Sequence, residues 1–136
     1  MSDEQKTQDN VEDVKEEAAE VELPPQTPLV SYDDFAKLEI KIGVIESVEI
    51  VENADKLLRL AVNVGEEKPR QIISGIREYF EDPQFLVGKQ CPFLTNLEPR
   101  TIRGFESQGM ILAASHDDIF ALLIPHNELP AGTKIK

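Results

Sequence analysis

Apolar residues alternate with mostly polar neighbours through Ile40, Ile42, Val44, Val48 and Ile50. They do so again through Leu58, Leu60, Val62 and Val64, with Arg59, Ala61 and Asn63 between them. A period of two over runs of this length marks half-buried β-strands, and Gly43 sits mid-strand where a strongly bent strand needs it. Gly65, Glu66 and Glu67 turn the chain into a third strand, about Arg70 to Ser74. From Ile76 to Lys89 the alternation loosens. Asp82 to Leu86 reads as a short helical turn with Pro83 at its first position and Gly88 ending the segment. A fourth strand is expected over Gln90 to Leu94, a fifth over about Gln108 to Ala114, and one more short strand over Phe120 to Ile124. Upstream, Ser31 can cap a short helix from Tyr32 to Lys37, with Asp33 and Asp34 near the positive end of its dipole and Lys37 near the other. Phe35 and Leu38 are expected to pack against the first strands.

Three strands, a short helix and two strands closing a small barrel give an all-β chain in the order of the five-stranded OB-fold barrel. That fold binds nucleic acid on the face of strands 2 and 3 and on the loops joining strands 1 to 2 and 4 to 5. The polar, glycine-containing and proline-containing loops that support this order occur in any small all-β domain. An OB barrel is complete by about Ala114, yet the apolar run Ile119 to Ile124 continues beyond it as a C-terminal extension. So continuous a run must be covered, either by the end of its own barrel or by a second copy of the chain.

Charge changes the picture at the N-terminus. The 136 residues carry 26 acidic and 14 basic side chains for a net charge of -12, and nine of the acids against two bases fall within residues 1–30. That segment is poor in aromatics and ends in Leu23, Pro24, Pro25, Gln26, Thr27, Pro28. It cannot bury enough apolar area to offset its ordering entropy, so residues 1–30 are expected to be a disordered acidic tail and residues 31–136 the folded domain. Val11, Val14, Ala18 and Val21 stand at near-helical spacing within it and leave room for a partly formed helix. The balance argues against indiscriminate nucleic-acid binding, but Asn53 to Gly109 holds eight bases and eight acids, a neutral middle where an RNA-facing surface can sit. No apolar segment is long enough for a signal peptide or a membrane span, and the single Cys91 cannot form an internal disulfide, so a cytoplasmic protein is expected.

Asn96 to Met110 carries the densest chemistry. Arg100 and Arg103 each present a forked, permanent cation suited to phosphate or a base edge. Pro99 stiffens the entry, and Gly104 and Gly109 allow close backbone approach. No nucleophile and base accompany them, and His116 and His126 lack companions for a metal site. Cys91 lies in the apolar run Cys91 to Leu94 and reads as a buried structural thiol. Neither a catalytic residue nor a cofactor or metal is expected. In the first loop, Asn53 and Asp55 suit a turn held by side-chain bonds to its own backbone.

The wording of these segments goes further than their spacing. Asp34 to Leu38 followed by Ile40, Lys41, Ile42, Gly43; Asn53 to Leu57; Ile73, Ser74, Gly75; Val87, Gly88, Lys89; Asn96, Leu97 with Pro99, Arg100; Arg103, Gly104; and Ser107 to Met110 together resemble the tRNA-binding domain at the C-terminus of many methionyl-tRNA synthetases and the free-standing tRNA-binding proteins built from it. The resemblance covers about Ser31 to Lys136. It implies that Lys56, Arg100 and Arg103 are RNA-facing cations, that Asn53, Ser74 and Ser107 contribute polar contacts, and that the chain binds tRNA without chemistry of its own. It further implies a homodimer through the C-terminal segment and a possible methionyl-tRNA synthetase partner. Arg59 and Arg77, with Lys68 and Arg70, are basic strand or loop positions that could add contacts. Where the family text carries lysines this chain has Glu98 and Thr101, which removes cations from the loop and should weaken binding. At Phe105, where the family tends to an aliphatic residue, packing is the expected role, with base stacking as the alternative. An export-related chaperone of similar fold, or a pure dimerisation module of a synthetase, are the competing functions. The two active-site signature texts of such synthetases are absent from the chain.

Overall fold

The computed structural model describes residues 27–136, so the expectations for the acidic tail fall on residues that lie, all but the last few, outside the described part. The compact unit that holds the sheet spans Asp33–Lys136. The first helix, α1 (Tyr32–Ala36), is one residue shorter than expected. None of its residues is fully buried, and Phe35 and Leu38 keep 38% and 43% of their surface exposed.

Strands β1 (Ile40–Ile50), β2 (Leu58–Asn63), β3 (Arg70–Ser74), β4 (Gln90–Leu94) and β7 (Met110–Ile111) form one five-stranded sheet in the order β3-β2-β1-β4-β7. All its pairings are antiparallel. Such a sheet with β1 at its centre curls into the expected OB-like barrel, because β1 serves two neighbours with different parts of its length. Ile40 to Val44 pair with β4 and Val44 to Ile50 with β2, with a bulge between Ile45 and Ser47. A bulge adds twist and bends the strand at that point. The bend also brings β1 against its neighbours' side chains at Gly43, where an added Cβ would stand 2.6 Å from Val62 Cγ1 and 2.8 Å from Phe93 Cδ1. The mid-strand glycine is therefore a packing requirement. Alternation on β2 is complete: Leu58, Leu60 and Val62 are buried, while Arg59, Ala61 and Asn63 are half-exposed.

The core gathers Ile45, Val48, Leu58, Leu60, Val62, Val64, Ile72, Leu86, Cys91 and Phe93. Leu86 comes from the single turn Pro83–Leu86, which Asp82 caps by accepting from Gln84 N at 3.1 Å. A second such turn, Arg77–Tyr79, precedes it. Cys91 is fully buried, and burial pushes its thiol pKa up to about 11, so it is protonated and unreactive at neutral pH.

The expected fifth strand is not continuous. After Met110–Ile111 the chain leaves the sheet and forms a separate hairpin, β8 (Ala113–His116) with β9 (Ile119–Leu122). Pro92 accounts for the break. Its carbonyl accepts from Leu112 N at 3.0 Å, but a proline returns no N–H, so the ladder between β4 and β7 ends there. β9 also begins a residue earlier and ends two earlier than expected. Phe120 stacks on Tyr79 with centroids 4.5 Å apart and meets Phe80 edge-on at 5.7 Å. Phe120 and Leu122 thus pack on the core, whereas Ile119, Leu123 and Ile124 are exposed. The C-terminal segment returns to β1 through Gly132 N to Ile42 O, Ile42 N to Thr133 O and Ile135 N to Ile40 O, each at 2.7 or 2.8 Å.

Candidate nucleic-acid interface

The stretch expected to be an arginine-bearing loop is a small hairpin. Strands β5 (Arg100–Ile102) and β6 (Phe105–Ser107) pair Arg100 with Ser107, Thr101 with Glu106 and Ile102 with Phe105. The two residues between them, Arg103 (φ 53°) and Gly104 (φ 84°), both lie in the left-handed region. Two consecutive left-handed residues are the hallmark of the tight turn whose twist suits a two-residue hairpin. Glycine adopts that conformation freely, while arginine does so at a cost of about 1 kcal/mol or more. Arg103 is thereby placed at the tip of a projecting hairpin. It and Arg100 are exposed, and neither side chain makes a hydrogen bond or ion pair among the described residues.

The hairpin is fastened to the free edge of β3 largely by side chains. Ser107 Oγ accepts from Ile73 N at 3.0 Å and donates to Gly109 O at 3.0 Å. Gln108 Oε1 accepts from Gln71 N at 2.9 Å, Gln71 Nε2 donates to Glu106 O at 2.8 Å, and Gln108 N donates to Gln71 O at 2.8 Å. These bonds tie the sheet's edge strand β3 to β6 and to the Gln108 that leads into β7. Ser107 is 5% exposed, with its hydroxyl used for one donated and one accepted bond inside the fold. Ser74, at the end of β3, is 9% exposed. The structure therefore places both serines beneath the surface that the cations occupy.

Arg70 is fully committed as well. Its Nε and Nη2 donate to the two oxygens of Glu66 at 2.9 and 2.7 Å, and its Nη1 donates to the carbonyls of Thr95 and Gln108. It locks the root of the hairpin and is not an open cation. The Arg70 hydrogen bonds hold the Glu66 carboxyl below its ordinary range against a smaller burial effect. A depressed carboxylate contributes stability above its unfolded pKa and loses it as pH falls through the folded value. Thermal melts are therefore expected to weaken on acidification below the usual carboxylate range, and Glu66→Gln is expected to flatten that slope. Asn96 holds the preceding segment, accepting from Glu39 N at 2.8 Å and donating to Lys37 O at 2.7 Å.

Across from the hairpin, residues 51–57 join β1 to β2. Asn53 stands at φ 62°, a conformation asparagine tolerates better than most residues, and Asn53, Asp55 and Lys56 are exposed. Arg77 braces this loop from behind, its N donating to Lys56 O at 3.1 Å and its Nη1 to Ala54 O at 3.3 Å. Arg59 lies directly opposite Glu49 in the β1–β2 register and pairs with it at 2.7 Å, and its guanidinium sits 5.0 Å from the centre of the Phe105 ring. Asn53, Arg59, Arg103 and Phe105 line one open groove of about 500 Å³ between the loop and the hairpin. Of the eight residues marked from the sequence, these three polar ones share that groove; Lys56 is exposed on the loop between β1 and β2, Arg100 lines a separate small pocket with Glu98 and Met110, Arg77 supports the loop, and Ser74 and Ser107 are interior. The contribution of Glu49 was missed, although the hairpin register alone sets it against Arg59. Among the described residues no group of three or more His, Cys, Asp or Glu side chains could hold a metal ion, and no helix is long and apolar enough to cross a membrane.

A family model described as a putative tRNA binding domain matches residues 40–134. Methionine–tRNA ligase of Methanosarcina mazei is 44% identical over 122 residues, covering 89% of this chain and 16% of that protein. The Lactococcus lactis enzyme is 43% identical over 117 residues, covering 85% and 18%. The chain thus spans less than a fifth of the length of these relatives. Among solved structures, a MetRS related protein from Pyrococcus horikoshii superposes with a TM-score of 0.74 at 32% identity, covering 81% of this chain and 100% of that one. The chaperone CsaA from Bacillus anthracis gives 0.71 at 29%, covering 80% and 100%.

Proposed function

As this chain belongs to the family of putative tRNA binding domains, matched over residues 40–134, we propose that it is a noncatalytic, cytoplasmic tRNA-capturing module that raises the local concentration of tRNA for a methionyl-tRNA synthetase. The observation that carries the reading is the hairpin tip, where Arg103 is held in a left-handed conformation on the hairpin that also carries Arg100, across the groove from Asn53. A backbone-reading surface needs a few cations on a rigid curved sheet, and linking such a surface to an enzyme raises capture by effective concentration without new contacts at the active site. The low count of open cations, with Arg59 paired, Arg70 committed and Glu98 and Thr101 in place of family lysines, makes the module a weak or selective binder.

Glu49 sets part of that weakness. Replacing it by Gln removes the anion 2.7 Å from Arg59 and frees the guanidinium for phosphate, so Glu49→Gln is expected to tighten tRNA binding severalfold and steepen its salt dependence by about one contact. A mobility shift at two salt concentrations measures both.

The similarity to a chaperone of the same fold supports a second reading, capture of extended polypeptide, to which the exposed Ile119, Leu123 and Ile124 lend apolar surface. Fluorescence titration with labelled tRNA and, in parallel, with a reduced unfolded protein separates the two. Preference for the polypeptide would replace the first reading.

The same exposed side chains support a homodimer in which the end of β9 and the residues after it meet a second copy. Light scattering at micromolar concentration is expected to give about twice the 15.3 kDa chain mass, falling to one chain when Leu123 and Ile124 are changed to Glu. A monomeric wild-type mass rules the dimer out.

A further inference from the structure

The groove between the β1–β2 loop and the hairpin is poorly suited to a phosphate. Glu49 and Glu52 both line it, Arg59 is neutralised by Glu49 at 2.7 Å, and of its lining cations Arg103 alone has no charge partner among the described residues. A phosphate placed deep in it would meet two carboxylates. What the groove does offer is a stacking shelf, in which the Arg59 guanidinium lies over the Phe105 ring 5.0 Å from its centre, with the Glu52 carboxylate in the same lining and a volume of about 500 Å³, within the range of small-ligand clefts. Aromatic rings and arginine planes are the surfaces on which unpaired RNA bases stack. Carboxylates accept from exocyclic amino groups such as cytosine N4.

We propose that this groove is a subsite for one unpaired nucleotide whose base carries an exocyclic amino group. The base lies on the Phe105–Arg59 shelf, its amino group donates to the Glu52 carboxylate, and the adjoining phosphate stays at the mouth with Arg103. Uracil is disfavoured because its one ring N–H is flanked by two carbonyl oxygens that a carboxylate repels. The proposal rests on the tRNA-binding reading and deepens it, from a surface that follows the backbone to one that also selects an unpaired base.

The full chain contains no tryptophan, so Phe105→Trp introduces a single reporter at the shelf. Its emission is expected to be quenched by tRNA and by single-stranded tetramers of cytidine or adenosine. The uridine tetramer should need at least about fivefold higher concentration, and Glu52→Gln in the same background should narrow that gap. The control variant Asp118→Trp, in the turn between β8 and β9, should stay unquenched. Independently, Phe105→Leu keeps an apolar side chain and should lower tRNA affinity about fivefold to a hundredfold, the range for loss of one stacked base, with the salt slope unchanged because no charge is lost. Quenching of the Phe105→Trp protein by uridine as readily as by cytidine, or full tRNA affinity in Phe105→Leu, overturns the subsite while leaving tRNA binding in place. Failure of the wild-type chain to bind tRNA in a mobility shift overturns both.

Discussion

Changing Arg100 and Arg103 together to Ala is expected to weaken tRNA binding by at least about tenfold near 100 mM salt, with the salt slope lowered by about two contacts. The basis is local. Arg103 is one of two residues in a tight hairpin turn, Arg100 begins the first strand of that hairpin, and neither side chain has a partner among the described residues that would have to be broken first. A hydrogen bond to a charged group contributes about 1.5–3 kcal/mol; two such contacts, partly screened, support the tenfold floor. The fold should be untouched, since β6 is held to β3 by Ser107, Gln71 and Gln108 and not by either arginine. Relief of the left-handed strain also favours the variant if Arg103 becomes Gly in place of Ala. Arg103→Gly is therefore the cleaner single change. It should lose one contact's worth of salt slope without loss of melting temperature. Unchanged tRNA affinity in the double variant would remove the hairpin from the interface.

Phe93→Ala is expected to cost about 3–5 kcal/mol of folding stability, read as a lowered urea midpoint. Phe93 is fully buried in β4, pairs with Lys41 of β1 on one side and Ile111 of β7 on the other, and its ring covers the backbone at Gly43. Removing it leaves a cavity where the barrel's central strand bends. The converse change, Gly43→Ala, puts a carbon 2.6 Å from Val62 and 2.8 Å from Phe93 and should cost about 1–3 kcal/mol by overpacking. Because the two positions share one contact, Gly43→Ala should cost less in a Phe93→Leu background than alone. Additive costs would show that the ring does not press on the bend.

Much of this barrel was legible from the placing of apolar residues. β2 stands where its alternation puts it, since a strand with one buried face must alternate, and β3 and β4 stand where short apolar runs bounded by polar residues put them. The hairpin at Arg100 to Ser107 was not legible as strands, because a two-residue turn is announced by Asn-Gly or Gly-Gly texts and here an arginine occupies the left-handed position. The break after Ile111 depends on Pro92, a residue on another strand about twenty positions away, so nothing in the local run from Gln108 to Ala114 signals it. For the site, residue type was informative and partnership was not. Arg59, Arg70 and Arg77 read alike as basic positions near binding loops, yet one is paired across strands, one is locked to Glu66 and two carbonyls, and one braces a loop. Ser107 likewise matches the family text, but its hydroxyl bonds a backbone N–H 34 residues earlier. Such partners become visible only when the sheet has brought β3 and β6 together. Glu49 is the exception, because the antiparallel register that pairs Ile50 with Leu58 also pairs Glu49 with Arg59.

The central claim is that a few open cations at the hairpin and the β1–β2 loop bind the tRNA backbone. Titrating the full chain with bulk tRNA at several salt concentrations tests it most directly. The account predicts saturable binding whose logarithmic affinity falls linearly with the logarithm of salt, with a slope of about two to four set by Lys56, Arg100, Arg103 and their neighbours. No binding at low salt, or binding that does not respond to salt, would contradict it.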